Sequence, residues 1–353
     1  MNIANYKPLA LKSEGVSGDV LAEGSLDVDG QTIPIVMKIY STQRPVRTFK
    51  HGSRTITRTR NVSDESRFEI GNTMALTQMV LMNERHMTPH ITFALGYGIS
   101  ESAYETDQSL VSGQYIVPKD CDGKLAQYPQ CAFRSNYDDG SLSDTVRYLV
   151  VEKVTGDLEA WIKVLLEGME LGQLTVEEFD YSLATVLLMI LYTLYVLDDY
   201  FDGFVHGDLG PRNILMLQPK FSSKFLRYQL THEGVTYTFH TSQDVGVVPK
   251  LWDFDKCRIN KVPREMFSYL SDAEMQRTSC PFNEDVSILF NKIRQLILPS
   301  GSRLLPTIDR IMSLAQTMNN REMSMVFLTD PFITKLFSTP VPEDQVEFTF
   351  SYP

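Results

Sequence analysis

The chain is short of the residues that staple or cage a small domain: its 353 residues include four cysteines and six histidines. Cys121, Cys131, Cys257 and Cys280 form no C-x-x-C pair and the histidines do not gather around them, which argues against a zinc site. Reduced thiols in a cytosolic type of compartment are expected. A basic start followed by an apolar run is missing too, so Met1-Asn2-Ile3-Ala4-Asn5-Tyr6 does not read as a signal peptide. No long hydrophobic run appears. The most apolar segment, 183–197, falls short of the ~20 residues that span a bilayer and ends at Asp198-Asp199, so a buried helix is expected and no membrane insertion. Positive charge is scarce, with 33 Lys and Arg against 44 Asp and Glu and a net charge of −11. That balance argues against charge-driven binding to nucleic acid or anionic lipid.

What is present is ordinary for a globular protein: 43% hydrophobic and 22% charged residues. The length suits two lobes or domains, each with its own interior. The stretch that organises the chain is Val205-His206-Gly207-Asp208-Leu209-Gly210-Pro211-Arg212-Asn213-Ile214-Leu215. Its spacing lets one loop present a base at Asp208 and a metal ligand at Asn213, with Pro211 stiffening the turn between them.

Before it, residues 8–40 are expected as three strands, with turns at Gly15-Val16-Ser17-Gly18 and at Asp29-Gly30. The third strand embeds Lys38 among apolar residues, where a charge is costly unless partnered; the alternative is an edge strand that turns the lysine to solvent. Residues 44–60 carry six basic side chains, Arg44, Arg47, Lys50, Arg54, Arg58 and Arg60. They read as a solvated loop or as a docking patch for an acidic partner or a nucleic acid. A helix is expected over about 63–83, with Asp64 and Glu65 in its first turn; Ser66 and Glu69 also fit a capping box, and Gly71 weakens the helix. Residues 100–146, rich in Asp, Ser, Gly and Tyr, read as a surface insertion between strands.

Beyond the insertion, 148–154 is expected as a strand, followed by Gly156-Asp157-Leu158 and a helix around Trp161. Residues 181–200 form a core helix, and 225–248 read as a hairpin around Glu233-Gly234. That hairpin leads into Trp252-Asp253-Phe254-Asp255. Three more helices are expected near 285–297, 302–318 and 323–337, then a proline-interrupted tail.

The glycine-rich turn, the strand lysine, the loop and the Asp-Phe-Asp, in that order along the chain, resemble the protein-kinase-like superfamily over about 8–295. They look most like the divergent Ser/Thr kinases of large DNA viruses. The resemblance implies an α+β, two-lobed fold: an N-lobe of antiparallel sheet plus one helix at 1–151, and a mainly helical C-lobe at 152–353 with a hairpin insertion at about 222–248. It implies ATP and Mg²⁺ as cofactors. Gly15, Ser17, Gly18 and Val20 would line the phosphate loop, and Lys38 would hold the phosphates with Glu69 as its partner, or Glu65 in its place. The backbone from Glu152 to Val154 would meet the adenine. Asp208 would accept the hydroxyl proton, Asn213 and Asp253 would bind magnesium, and Arg212 would supply charge. The implied substrate is a protein Ser or Thr, in a host cytoplasm or a virion.

Four departures accompany these matches. Gly207 stands where the family has an arginine that receives an activation-loop phosphate, so activity without such phosphorylation is expected. Gly210 replaces the loop lysine, Asp255 replaces a glycine, and no A-P-E follows. Small-molecule kinases of the aminoglycoside phosphotransferase and choline kinase type also carry such a His-Gly-Asp and Asp-Phe-Asp pattern. A catalytically weakened scaffold is the third reading.

Overall fold

The computed structural model describes residues 6–14, 20–28, 31–40, 47–51, 54–58, 62–81, 87–100, 146–154, 156–218, 224–259, 284–314 and 318–353. Gly15, Ser17 and Gly18 of the expected phosphate loop, nearly all of the expected insertion and the segment 260–283 lie outside them. The architecture is α+β, with antiparallel sheets and several helices. Two compact units divide the chain, one of Met1–Ile70 with Phe93–Lys153 and the other of Gly71–Thr92 with Val154–Pro353. One division falls inside helix α1 (Val62–Leu76), and another between Lys153 and Val154.

The first unit is built on strands β1 (Tyr6–Glu14), β2 (Val20–Val28) and β3 (Gln31–Tyr40). Two later strands, β6 (Ala94–Ser100) and β7 (Val146–Glu152), complete an antiparallel sheet of order β1-β2-β3-β7-β6. Strand β3 is therefore central, with Lys38 opposite Leu21 on one side and Leu149 on the other. Its consecutive Ile35, Val36 and Met37 are all buried, as a strand covered on both faces requires. The basic stretch expected as a loop contains a hairpin instead, β4 (Arg47–His51) against β5 (Arg54–Arg58). Thr48, Phe49, Thr55, Ile56 and Thr57 favour extended backbone, a signal that the charge pattern hides.

The second unit is organised around one helix. Helix α2 (Leu158–Glu170) begins at Asp157, whose carboxylate accepts the Ala160 N–H at 2.8 Å. Helix α3 (Val176–Tyr200) opens with a reciprocal cap, in which the Thr175 hydroxyl takes the Glu178 N–H and the Glu178 carboxylate takes the Thr175 N–H. That cap starts the helix well before the apolar run. At 25 residues it exceeds the expected segment, and its length and composition alone would let it cross a membrane. Every residue from Leu183 to Leu197 is buried, however, and 89% of its most apolar window lies inside the protein, as for a core helix.

Around α3 pack α2, the short strand β8 (Phe204–Val205), the strand β12 (Val248–Leu251) and helix α6 (Asn320–Leu328). β12 pairs antiparallel with β9 (Ile214–Leu217), and β8 with β13 (Arg258–Ile259). The expected hairpin is β10 (Phe225–His232) with β11 (Val235–Ser242). Glu233 and Gly234 turn it at φ 50° and 78°, the positive angles a two-residue hairpin turn demands. The tail is not irregular: β14 (Val346–Tyr352) lies parallel to β10 and makes the hairpin a three-stranded sheet. Helices α4 (Glu284–Ile297), α5 (Leu305–Leu314) and α7 (Pro331–Phe337) complete the unit. The expected helix 323–337 is two helices, α6 and α7. Asp330 caps the second by accepting the Phe332 N–H at 2.9 Å, and Pro331 sits in its first turn, where no amide hydrogen is needed.

A buried histidine ties this unit together. His90, fully enclosed, donates from Nδ1 to the Pro249 carbonyl at 3.0 Å and accepts the Tyr228 hydroxyl at Nε2 at 2.9 Å. Burial lowers its pKa from 6.5 to about 3; the Pro249 hydrogen bond opposes the shift and the Lys250 charge adds to it. The folded pKa lies below the unfolded one, so this contribution is complete above pH 6.5 and drains away as pH falls toward 3. Between pH 7 and pH 5 urea denaturation is expected to lose about 2 kcal/mol from this site. His90→Asn should show a smaller fall; the same fall in both proteins would assign it elsewhere.

Candidate active site

In the first unit Lys38 and Glu69 form a buried pair. Lys38 Nζ lies 2.8 Å from both Glu69 oxygens, with Lys38 8% and Glu69 2% exposed. The ammonium also lies over the Tyr40 ring, 5.4 Å from its centroid. The edge-strand alternative for Lys38 is therefore excluded, since β3 is paired on both sides. Val20 opens β2 opposite Ile39. Glu152, at the end of β7, makes two hydrogen bonds with Phe93: its N–H donates to the Phe93 carbonyl at 3.0 Å, and its side-chain Oε1 accepts the Phe93 N–H at 2.8 Å.

In the second unit the candidate loop is held at both ends by short ladders. β8 delivers His206 and β9 follows Asn213. The register Ile214 to Leu251 places Asn213 beside Trp252, whose N–H donates to the Asn213 carbonyl at 3.0 Å. The two proposed metal ligands, Asn213 and Asp253, thereby come from the adjoining ends of two paired strands. Pro211–Asn213 is a single 3-10 turn, closed by the Asn213 N–H on the Gly210 carbonyl at 2.9 Å. Asn213 Nδ2 donates to the Asp208 carbonyl at 2.8 Å, which leaves the amide oxygen as an acceptor. Asp253 takes φ 68°, a left-handed conformation that Asp tolerates better than most residues. Strain of this kind collects at functional sites.

Three features of the loop escaped the sequence. The first is Asp285, in the first turn of α4. Its fully buried carboxylate accepts the His206 N–H at 2.6 Å, the Gly207 N–H at 2.9 Å and Asn320 Nδ2 at 3.1 Å. The second is Asn72 of α1, whose Nδ2 donates to the carbonyls of Phe254 at 3.0 Å and Cys257 at 3.1 Å, clamping the turn after Asp253. Phe254 is buried and lies 5.2 Å from the His206 ring, and His206 Nε2 donates to the Trp252 carbonyl at 2.9 Å. The third is Lys256, whose Nζ sits 2.5 Å from Asp208 Oδ2. Burial alone would lower the Lys256 pKa. The hydrogen bond and charge of Asp208, with Asp255 and Asp253 nearby, outweigh burial and raise it.

Arg212 is held elsewhere, by Glu159 of α2 at 2.8 and 3.4 Å. Hydrogen bonds from Arg212 and Lys163 lower the Glu159 carboxyl to about 2. Arg212, expected to supply charge, pairs with Glu159, and the cation on Asp208 is Lys256. A cavity of about 230 Å³ lined by Asp198, Gly203, Arg258, Asn320 and Arg321 among others includes none of Asp208, Asn213 and Asp253.

The two glycines of the loop differ in kind. Gly207 has φ +80°, and a Cβ there would lie 2.5 Å from the backbone oxygen of Lys256. At Gly210 a Cβ would meet Lys292 Nζ at 2.6 Å, the far end of a flexible side chain that can withdraw. Gly207→Ala is therefore expected to cost about 1–3 kcal/mol in urea denaturation, and Gly210→Ala far less. Equal effects would remove the argument from close approach.

No family model matches the chain. Among curated proteins it is similar to one from Acanthamoeba polyphaga mimivirus whose name reads "Putative serine/threonine-protein kinase", with 27% identity over 186 residues. The match covers 50% of this chain and 34% of that relative, so the chain spans about a third of the relative's length. A kinase-like relationship over half of the chain is what this supports.

Proposed function

We propose that the protein is an ATP-dependent phosphotransferase of two-lobed, protein-kinase-like fold that acts on a Ser or Thr hydroxyl of a protein. The observation that carries the reading is the arrangement of Asp208, Asn213 and Asp253. The Asn213 side-chain amide ties the loop at the Asp208 carbonyl, and Asn213 and Asp253 lie at the adjoining ends of two paired strands. The Lys38–Glu69 pair and the named mimiviral relative support it independently.

In this reading Lys38, fixed in length and direction by Glu69, holds phosphate oxygens. Asp208 orients the acceptor hydroxyl and takes its proton. The Asn213 amide oxygen and the Asp253 carboxylate are hard oxygen donors of the type magnesium accepts. Among the described residues no three His, Cys, Asp or Glu side chains gather to cage an ion. A metal here would accordingly keep most of its shell from phosphate and water, as magnesium does. When bound it would neutralise charge on the phosphates. Most of the rate enhancement would come from positioning and fixed charge.

The test is incubation of the full chain with γ-labelled ATP and three acceptor sets: proteins of the cognate lysate, a generic basic protein, and small alcohols and amines. Label in Ser or Thr of protein is the expected result. Label confined to small molecules would move the protein to the small-molecule kinases. Bound nucleotide with no label in any set would leave a scaffold.

A further inference from the structure

The loop lacks a cation at both places where the sequence comparison with kinases expects one, Gly207 and Gly210, yet a cation stands on its aspartate. We propose that Lys256, delivered from the turn after Asp253, is the catalytic cation of this site and compensates the glycine at 210. The inference rests on the phosphotransferase reading above and names a residue for it.

Three independent contacts aim Lys256 at Asp208. The 3-10 turn Phe254–Lys256 is pinned at its buried flanks, Phe254 and Cys257, by the two hydrogen bonds from Asn72. The ladder of β13 on β8, Arg258 opposite Val205, carries Lys256 to the level of Gly207. There the missing Cβ lets the Lys256 carbonyl come closer than any other residue would allow. With its backbone fixed in this way, the side chain closes on Asp208 Oδ2 at 2.5 Å. Gly207 is thus the partner of Lys256: the residue that removes one charge from the loop admits another. Arg212 is engaged by Glu159. Lys292, whose Nζ would crowd a Cβ at Gly210, forms no ion pair with any described residue. Among the described residues Lys256 is the ammonium that touches the proposed base.

The step balances without it changing protonation. The acceptor oxygen forms a bond to the γ-phosphorus as the bond from that phosphorus to the β–γ bridging oxygen breaks. The hydroxyl proton passes to the Asp208 carboxylate, and ADP leaves with the electron pair. Lys256 starts on Asp208, next to the acceptor, and offers its N–H groups to the equatorial oxygens of the phosphoryl group as charge develops there. Such a group acts in the transition state more than in the bound substrate.

The test compares wild type with Lys256→Met and Lys256→Arg. Lys256→Met is expected to lower kcat about 10²–10³-fold while the Kd for Mg-ATP, read by calorimetry, stays within about threefold. Affinity for Mg-ADP with aluminium fluoride, a mimic of the transferring phosphoryl group, should fall in the same protein. Lys256→Arg should recover most of both. A Lys256→Met protein that turns over as fast as wild type, or faster, would overturn the proposal and make the lysine at most a plug on Asp208. Loss of Mg-ATP affinity in parallel with kcat would also overturn it. Wild type that transfers no phosphoryl group to any acceptor would instead sink the phosphotransferase reading itself.

Discussion

Asp208→Asn is expected to lower phosphoryl transfer by about 10²–10⁴-fold, the range a positioned general base contributes, with Mg-ATP affinity little changed. The substitution keeps size and shape and removes the acceptor of the proton. It also removes the ion pair with Lys256, but both side chains are about half exposed, 48% and 39%, and such pairs add at most about 1 kcal/mol to stability. The Asp208 carbonyl, which receives Asn213 Nδ2, is backbone and survives the change. A folded protein with reduced turnover is therefore the outcome, checked by kinetics beside a urea denaturation curve. Unchanged turnover would remove Asp208 from the mechanism.

Asp285→Ala should act through the fold. Its carboxylate is 0% exposed and receives the N–H groups of His206 and Gly207 and the amide of Asn320. Alanine leaves those donors buried and unsatisfied, each at roughly 1–3 kcal/mol. Partial relaxation brings the total to about 3–5 kcal/mol, a large share of the 5–15 kcal/mol that holds a domain together. The loop that carries Asp208 should lose its fixed geometry before the whole unit unfolds, so activity should fall more steeply with temperature than ellipticity does. A variant within about 1 kcal/mol of wild type would show that water replaces the carboxylate there. Asp285→Asn tests the same point more gently, since one oxygen remains an acceptor.

Much of the candidate site's layout was legible because its signals are local. His206, Asp208 and Asn213 sit within one loop, and Lys38 stands out as a charge in an apolar strand. Glu69 could be named from its helix, but so could Glu65, and only the contact of Glu69 with Lys38 singled it out. The contacts that fix the loop are long-range and leave no mark on it. Asp285 is 78 residues from Gly207, and Asn72 is 182 from Phe254. An acidic residue in a first helical turn and a polar one in mid-helix have ordinary local explanations, so neither drew attention. Lys256 was similarly hidden, 48 residues from Asp208 and one step beyond the Asp-Phe-Asp that was noticed. Arg212 was the more visible cation because it lies in the loop itself; spacing gives neighbours along the chain, while side-chain direction is settled by what else is near, here Glu159.

Fold-level expectations failed in the same way. The hairpin at 225–242 announced itself by its turn, but its third strand could not, because β14 reads alone as a short alternating segment after prolines. That parallel pairing sets an order of events on the ribosome. Gln229 and Ser351, joined by a side-chain hydrogen bond, are 122 residues apart. At about 5–20 residues per second the hairpin waits roughly 6–24 s for its neighbour to be synthesised. For that interval β10 offers an unpaired edge to any extended chain nearby, the exposure that leads to mispairing and aggregation. Yield of native protein should therefore depend on translation speed between the codons of β10 and β14, the same stretch that encodes Asp253 and Lys256.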